Sequence, residues 1–258
     1  MNTEHHMNTQ PVYQARGVTK KYGNVLALDE VDFSVAAGEV VGLVGDNGAG
    51  KSTLVKVLSG AHRPDHGELL LDGSPVQWHS PQEALERGIE TLYQDSSLAP
   101  DLTVSANVFL GREEVVPGFW GRLGFLANRR MDEIARQELE KVGIAVPSST
   151  RTVARLSGGQ RQAVAIGRAA AWASKVIILD EPTNHLGARQ SAEVLEVIRQ
   201  AKAKGLAVVF ISHTLPHVLE VTDRIVVLRL GRVSMDAPTS TFTPDSLVKA
   251  ITGLSGAA

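Results

Sequence analysis

Cysteine is absent from the 258 residues, which excludes disulfides, iron–sulfur clusters and thiolate zinc sites. No apolar run is long enough to span a bilayer. The first ten residues, MNTEHHMNTQ, are polar and hold no hydrophobic signal segment. Charge of one sign is lacking too: 26 Lys and Arg stand against 28 Asp and Glu, a formal net charge of −2. A chain-wide basic footprint for nucleic acid or an anionic membrane is therefore missing, and no nucleic-acid partner is expected; only a local patch stays open. There is no internal repeat and no low-complexity tract. What is present is an ordinary globular mixture, 43% hydrophobic and 21% charged, with enough apolar residues for a sizeable core. These features suit a soluble, cytoplasmic protein.

Along the chain, residues 1–10 read as a flexible tail in which His5 and His6 are exposed rather than metal ligands. VDFSV at 31–35 and ELLLDG at 68–73 look like strands of an antiparallel sheet with one face on a core. EVVGLVG at 39–45 is a short apolar strand, and KSTLVKVLSG at 51–60 a helix closed by Gly60. IETLYQ at 89–94, KVIILDE at 175–181, LAVVFIS at 206–212 and RIVVLRL at 224–230 are apolar without clean alternation, as for strands covered on both faces. Helical stretches separate them, notably 188–205, and TPDSLVKAITG at 243–253 forms a last short helix. The pattern predicts an α/β fold with a mainly parallel sheet. Residues 11–258 are expected to form one domain, with 98–172 a helical subdomain inserted between two core strands and interrupted by the PGFWGRLGF loop.

Three short motifs carry chemistry. GDNGAGKS at 45–52 fits G-x-x-x-x-G-K-S/T, in which glycines let backbone N–H groups curl around phosphate oxygens. Lys51 supplies a point charge to the β- and γ-phosphates, the Ser52 hydroxyl suits Mg²⁺, and the following helix points its N-terminus at the anion. The apolar strand ending in Asp180 and Glu181 supplies one acid for the Mg²⁺ shell and one to act on the attacking water. LSGGQ at 156–160 offers a second helix start, capped by Ser157, whose Gly158 and Gly159 allow close approach to an anion. His62 with His66, and His213 with His217, have helical metal-ligand spacing, yet Pro64 breaks the first pair and further ligands are lacking nearby, so no zinc is expected. Trp78, Trp120 and Trp172 read as packing or surface residues, with Trp120 in the loop where a partner could dock.

GDNGAGKST, LSGGQRQ and VIILDEPT, in that order and spacing, resemble the ATP-binding cassette ATPases over residues 12–236. The resemblance implies a P-loop NTPase (RecA-like) core with an antiparallel β subdomain and the helical insertion, using ATP and Mg²⁺. It assigns Gly45, Asp46, Asn47, Gly48, Ala49, Gly50, Lys51, Ser52 and Thr53 to the phosphates, and Ser52, Gln94 and Asp180 to the metal shell. It makes Tyr22, in KKYG, the aromatic that stacks on adenine, and Gln94, in LYQD, the sensor that touches the membrane partner. Glu181 is then the base, His213, in ISHT, contacts the γ-phosphate and braces Glu181, and Ser157, Gly158, Gly159 and Gln160 act across a head-to-tail dimer. Where the family often reads S-A-L-D after DEPT, this chain reads NHLG at 184–187, so Gly187 replaces an aspartate that reaches the partner cassette, with His185 beside it.

Residues 80–113 and 211–233 further resemble the ATPases of bacterial monosaccharide importers of the ribose, xylose and fructose class. That implies an ATP-hydrolysing subunit, cytoplasmic and peripheral at the inner face of the membrane. Its partners would be a permease, indirectly a periplasmic or extracellular sugar-binding protein, and a second copy or similar cassette. An exporter ATPase and a non-transport cassette ATPase are the alternatives.

Overall fold

Val, Ile and Leu fill the strands Val40–Gly45, Val176–Asp180, Ala207–Ile211 and Arg224–Arg229 so densely that they must be covered on both sides, and the molecule is layered accordingly. The computed structural model describes residues 10–93, 98–141, 143–144, 148–184 and 186–253. The chain begins with two long strands, β1 (Pro11–Tyr22) and β2 (Val25–Ala36), then β3 (Val40–Gly45) and α1 (Lys51–Leu58). β4 (His66–Leu71), β5 (Ser74–Val76), α2 (Pro81–Glu86) and β6 (Ile89–Leu92) follow. Next come α3 (Val104–Val108), α4 (Phe119–Arg122), α5 (Asn128–Lys141) and α6 (Gly158–Trp172). The chain then alternates β7 (Val176–Asp180), α7 (Ala188–Ala203), β8 (Ala207–Ile211), α8 (Leu215–Val221) and β9 (Arg224–Arg229). It closes with β10 (Arg232–Pro238) and α9 (Pro244–Thr252).

Two sheets result. One has six strands in the order β10-β9-β3-β8-β7-β6, parallel except for β10; the other has four, β2-β1-β4-β5, all antiparallel. This is the expected P-loop NTPase architecture. Successive residues of the parallel strands feed opposite cores, because side chains alternate across a sheet. Ile178, Val209, Ile211 and Val226 pack toward α1 and the antiparallel sheet, beside Phe33, Leu54 and Leu71. Ile177, Leu179, Val208 and Phe210 pack on the other face with Val164, Leu195 and Ile198 of α6 and α7. β10 escaped the sequence reading because its residues are mostly exposed, so an edge strand carries little hydrophobic signal.

Between β6 and β7 the described residues form helices and only isolated bridges. Met131, Ala135 and Leu139 line the buried stripe of α5 at helical spacing. A strut ties this region to the sheet. Arg112 donates to Glu90 of β6 at 2.6 Å and lies 5.1 Å from the Trp172 ring, whose indole donates to the Val108 carbonyl at 2.7 Å. Burial pushes the Glu90 carboxyl above its ordinary range, and Arg112 opposes that shift.

A second polar link crosses the other core. The buried Tyr13 hydroxyl donates to the Leu58 carbonyl and accepts from the Trp78 indole, both at 2.7 Å, and burial pushes its pKa up. Tyr13→Phe leaves the indole N–H without its acceptor. The expected cost is about 1–3 kcal/mol, measured as a lower urea midpoint with an unchanged denaturant slope.

Candidate functional site

α1 follows β3 across the glycine loop; no side chain caps it and its first turn holds no acid. Gly50 occupies the N-cap at φ 110°, and a Cβ there would lie 2.7 Å from the Ala27 carbonyl oxygen, so only glycine fits. The free N–H groups of the first turn therefore face a cavity of about 440 Å³. The buried Lys51 ammonium donates to the carbonyls of Gly45 at 2.7 Å and Asp46 at 2.9 Å. Burial lowers its pKa, an effect opposed by Glu181, Asp46 and Asp180.

The opposite wall comes from neighbouring strands. Asp180 ends β7, and Glu181 follows with φ 54°, its N–H bonded to the Ile211 carbonyl at 2.9 Å. His213 stands just past β8 and places Nε2 2.5 Å from Glu181 Oε1. The Asn184 amide donates to Glu181 Oε2, so both carboxylate oxygens are engaged. Asp180 is raised above the ordinary carboxylate range, first by burial and then by the charge of Glu181, with Lys51 pulling the other way. Lys51, Ser52, Asp180, Glu181 and His213 thus line one cavity with Asn47, Gly48, Ala49, Gly50 and Thr53, while Gly45 and Asp46 do not line it.

Other expected site residues lie elsewhere or outside the described residues. Tyr22, at the end of β1, does not line the cavity; its ring meets His62 edge-on at 5.6 Å, with the Lys20 ammonium 5.7 Å away. Ser157 caps α6 reciprocally with Gln160, at 3.2 and 3.0 Å, away from this cavity. The two glycines between them differ in use. Gly158 faces open space, whereas a Cβ on Gly159 would lie 2.5 Å from Gln190 of α7, so Gly159 serves close helix packing. Gly187 is the N-cap of α7, its N–H bonded to Gln190 at 3.2 Å. Gln94 and His185 fall outside the described residues.

Two features of the cavity were missed in the sequence. Val25, Leu26 and Ala27 form an apolar edge, with Val25 64% exposed at the start of β2. The available signal was an apolar run directly after the Gly23–Asn24 turn. Asn184 was passed over as part of the altered NHLG segment, although a turn carries its N–H back to the Glu181 carbonyl at 3.2 Å.

The donor set fits a triphosphate: uncapped N–H groups, a lysine held only by carbonyls, and an exposed serine hydroxyl opposite an acid. It also fits Mg²⁺ shared with phosphates. No group of three or more His, Asp or Glu is arranged among the described residues to hold a metal ion by itself, and this metal uses one or two carboxylates plus phosphate and water.

The sequence pattern of the ABC transporter family matches residues 28–184. The chain is 46% identical over 249 residues to the fructose import ATP-binding protein FrcA of Rhizobium meliloti, covering 96% of each. It is 44% identical over 250 residues to the ribose import ATP-binding protein RbsA 1 of Rubrobacter xylanophilus, covering 95% of this chain and 48% of that one. It therefore spans about half the length of the ribose protein. Among solved structures, an ATP-binding cassette of an ABC transporter in its ADP conformation is similar at TM-score 0.78, with 25% identity over 95% of this chain and 96% of that one. A dimeric cassette in a post-hydrolysis state with ADP and Pi is similar at TM-score 0.72, with 26% identity over 88% of this chain and 98% of that one. With more than half the chain inside the family pattern and one relative matched nearly end to end, this protein belongs to the ABC transporter family.

Proposed function

We propose that this chain is the ATP-hydrolysing subunit of a monosaccharide importer. The observation that carries the chemistry is the carboxylate of Glu181, held at both oxygens across a cavity from an uncapped glycine-loop helix. The fructose and ribose import proteins it resembles supply the transport context.

In this reading the N–H groups of residues 47–53 and the Lys51 ammonium bind the phosphates, with Lys51 exchanging its carbonyl partners for phosphate oxygens. Ser52, Asp180 and Gln94 would hold Mg²⁺, which neutralises charge on the phosphates. Glu181 accepts a proton from the attacking water; each carboxylate oxygen keeps a second lone pair beyond its donor. His213 and Asn184 fix the direction of that lone pair, and His213 reaches the γ-phosphate. Tyr22 stacks on adenine, beyond the edge formed by Val25–Ala27. Ser157–Gln160 of a second copy close the nucleotide from the other side, which accounts for their distance from the cavity of their own chain. Residues 98–172 act as a helical subdomain that meets a permease beyond Gln94, at the cytoplasmic face of the membrane. A sugar-binding protein outside the membrane selects the cargo.

Glu181→Gln should keep ATP binding and lower steady-state phosphate release by about 10²–10⁴-fold. Tagged Glu181→Gln chain, recovered with ATP from solubilised membranes, should bring a polytopic permease with it; recovery without a membrane protein would overturn the importer reading. Asn184→Ala removes a donor to the ionised carboxylate, so kcat should fall with KM for ATP unchanged.

Asp180 gives a stability test with a definite sign. A carboxyl raised by folding destabilises the fold above its unfolded pKa, and the penalty disappears as pH falls below it. Asp180→Asn should therefore melt higher than wild type at neutral pH without nucleotide, at about 2–4 °C per kcal/mol. The gain should vanish in acid, and the extra protection from Mg²⁺ with ATP should be lost.

A further inference from the structure

Outside the cavity, one exposed patch is built rather than incidental. Between α3 and α5 the chain forms a short hairpin. Val116 N–H bonds to the Phe125 carbonyl at 2.9 Å, Ala127 N–H bonds to Glu114 at 2.8 Å, and Val115 pairs with Leu126. At its tip α4 carries an aromatic cluster. The Trp120 ring stands edge-on to Phe119 at 5.9 Å and to Phe125 at 5.3 Å. Phe119 is 69% exposed, Trp120 59%, Leu123 58% and Phe125 54%. So much adjacent apolar surface on one ordered tip marks an interaction site.

Charge narrows the partner. From Val115 to Met131 the chain carries Arg122, Arg129 and Arg130 and no acid. Arg130 pairs with Glu114 at 2.8 Å, while Arg122 and Arg129 are exposed and no ion pair joins either to an acid among the described residues. A second copy fits poorly, because a two-fold contact through this tip would set Arg122 against its own equivalent. The cytoplasmic loops of a permease carry excess Lys and Arg, so they also meet the arginines with like charge. An anionic lipid surface supplies what both lack: phosphates for the guanidinium groups and an interfacial layer where Trp and Phe are favoured.

We propose that the 115–130 hairpin is a membrane-surface anchor. Phe119, Trp120 and Leu123 bed into the headgroup layer of an anionic bilayer, with Arg122 and Arg129 on lipid phosphates. The anchor rests on the importer reading, which brings the chain to the membrane, and it would hold the helical region against the bilayer while the catalytic core moves.

The test uses the full chain and vesicles without permease. Purified protein is sedimented with phosphatidylcholine vesicles, with or without phosphatidylglycerol, while tryptophan emission is recorded. Trp120 is the reporter, since Trp78 is buried and Trp172 is held by Val108. Wild type should bind the anionic vesicles about tenfold or more tightly than the neutral ones, with a blue shift that Trp120→Phe reduces, and added salt should weaken binding. Arg122→Ala with Arg129→Ala should remove the anionic preference, and Phe119→Ser with Trp120→Ser should abolish binding. Both double variants should keep wild-type ATP turnover in solution, which reports that they fold. Failure of wild type to bind, equal binding to neutral vesicles, or binding indifferent to these substitutions would overturn the anchor. If a permease still co-purifies with the chain in that case, the importer reading stands and the tip belongs to a protein contact.

Discussion

The cavity depends on three strands lying side by side. β3, β8 and β7 are adjacent and parallel, so their carboxyl ends open in one direction and at one level. β3 delivers the glycine loop, β7 the Asp180–Glu181 pair and β8 the His213 segment. A ligand at the carboxyl end of a parallel sheet is the usual outcome of this topology. The constraint beneath it is double-sided burial: cores on both faces lock strand register, and a slip of one residue would turn every side chain to the wrong face.

The charges gathered there are poorly matched to one another without a ligand. Burial works against the ionised forms of both Lys51 and Asp180, and Glu181 adds repulsion to Asp180. Lys51 falls back on two backbone carbonyls, and Glu181 on an imidazole and an amide. A site arranged in this way gains from an anion that meets the lysine and the helix N-terminus, and from a cation that meets the aspartate. Stability is given up locally so that binding energy is available, as expected where a fold carries function.

The rest of the chain ties the elements around the cavity together. The Arg112–Glu90 pair joins the helical region to the sheet, while the Trp172 indole and the α5 stripe hold that region together. α6 meets α7 closely through Gly159 and presents Gly158 outward, so one helix start is both a packing element and an open edge. A head-to-tail pair would use that edge, and the exposed aromatic hairpin lies on the same helical region.

The sequence by itself determined whatever is built from neighbours along the chain. The glycine loop, the acids at the end of β7, the Ser157 cap and the apolar strands were legible, because phosphate loops, caps and doubly buried strands are local in sequence. Tyr22, as an expected adenine aromatic, and His213 entered through family resemblance, since nothing in their neighbouring sequence marks them. Only the tertiary structure decided how the antiparallel strands pair and that Tyr22 stands off the cavity edge formed by Val25–Ala27. It alone decided that Asn184 closes on Glu181, and that Phe119, Trp120 and Phe125 gather on an exposed tip. Each depends on which distant segments the two cores press together, or on which apolar residues they leave uncovered, and that balance is struck over the whole fold rather than within any short stretch of chain.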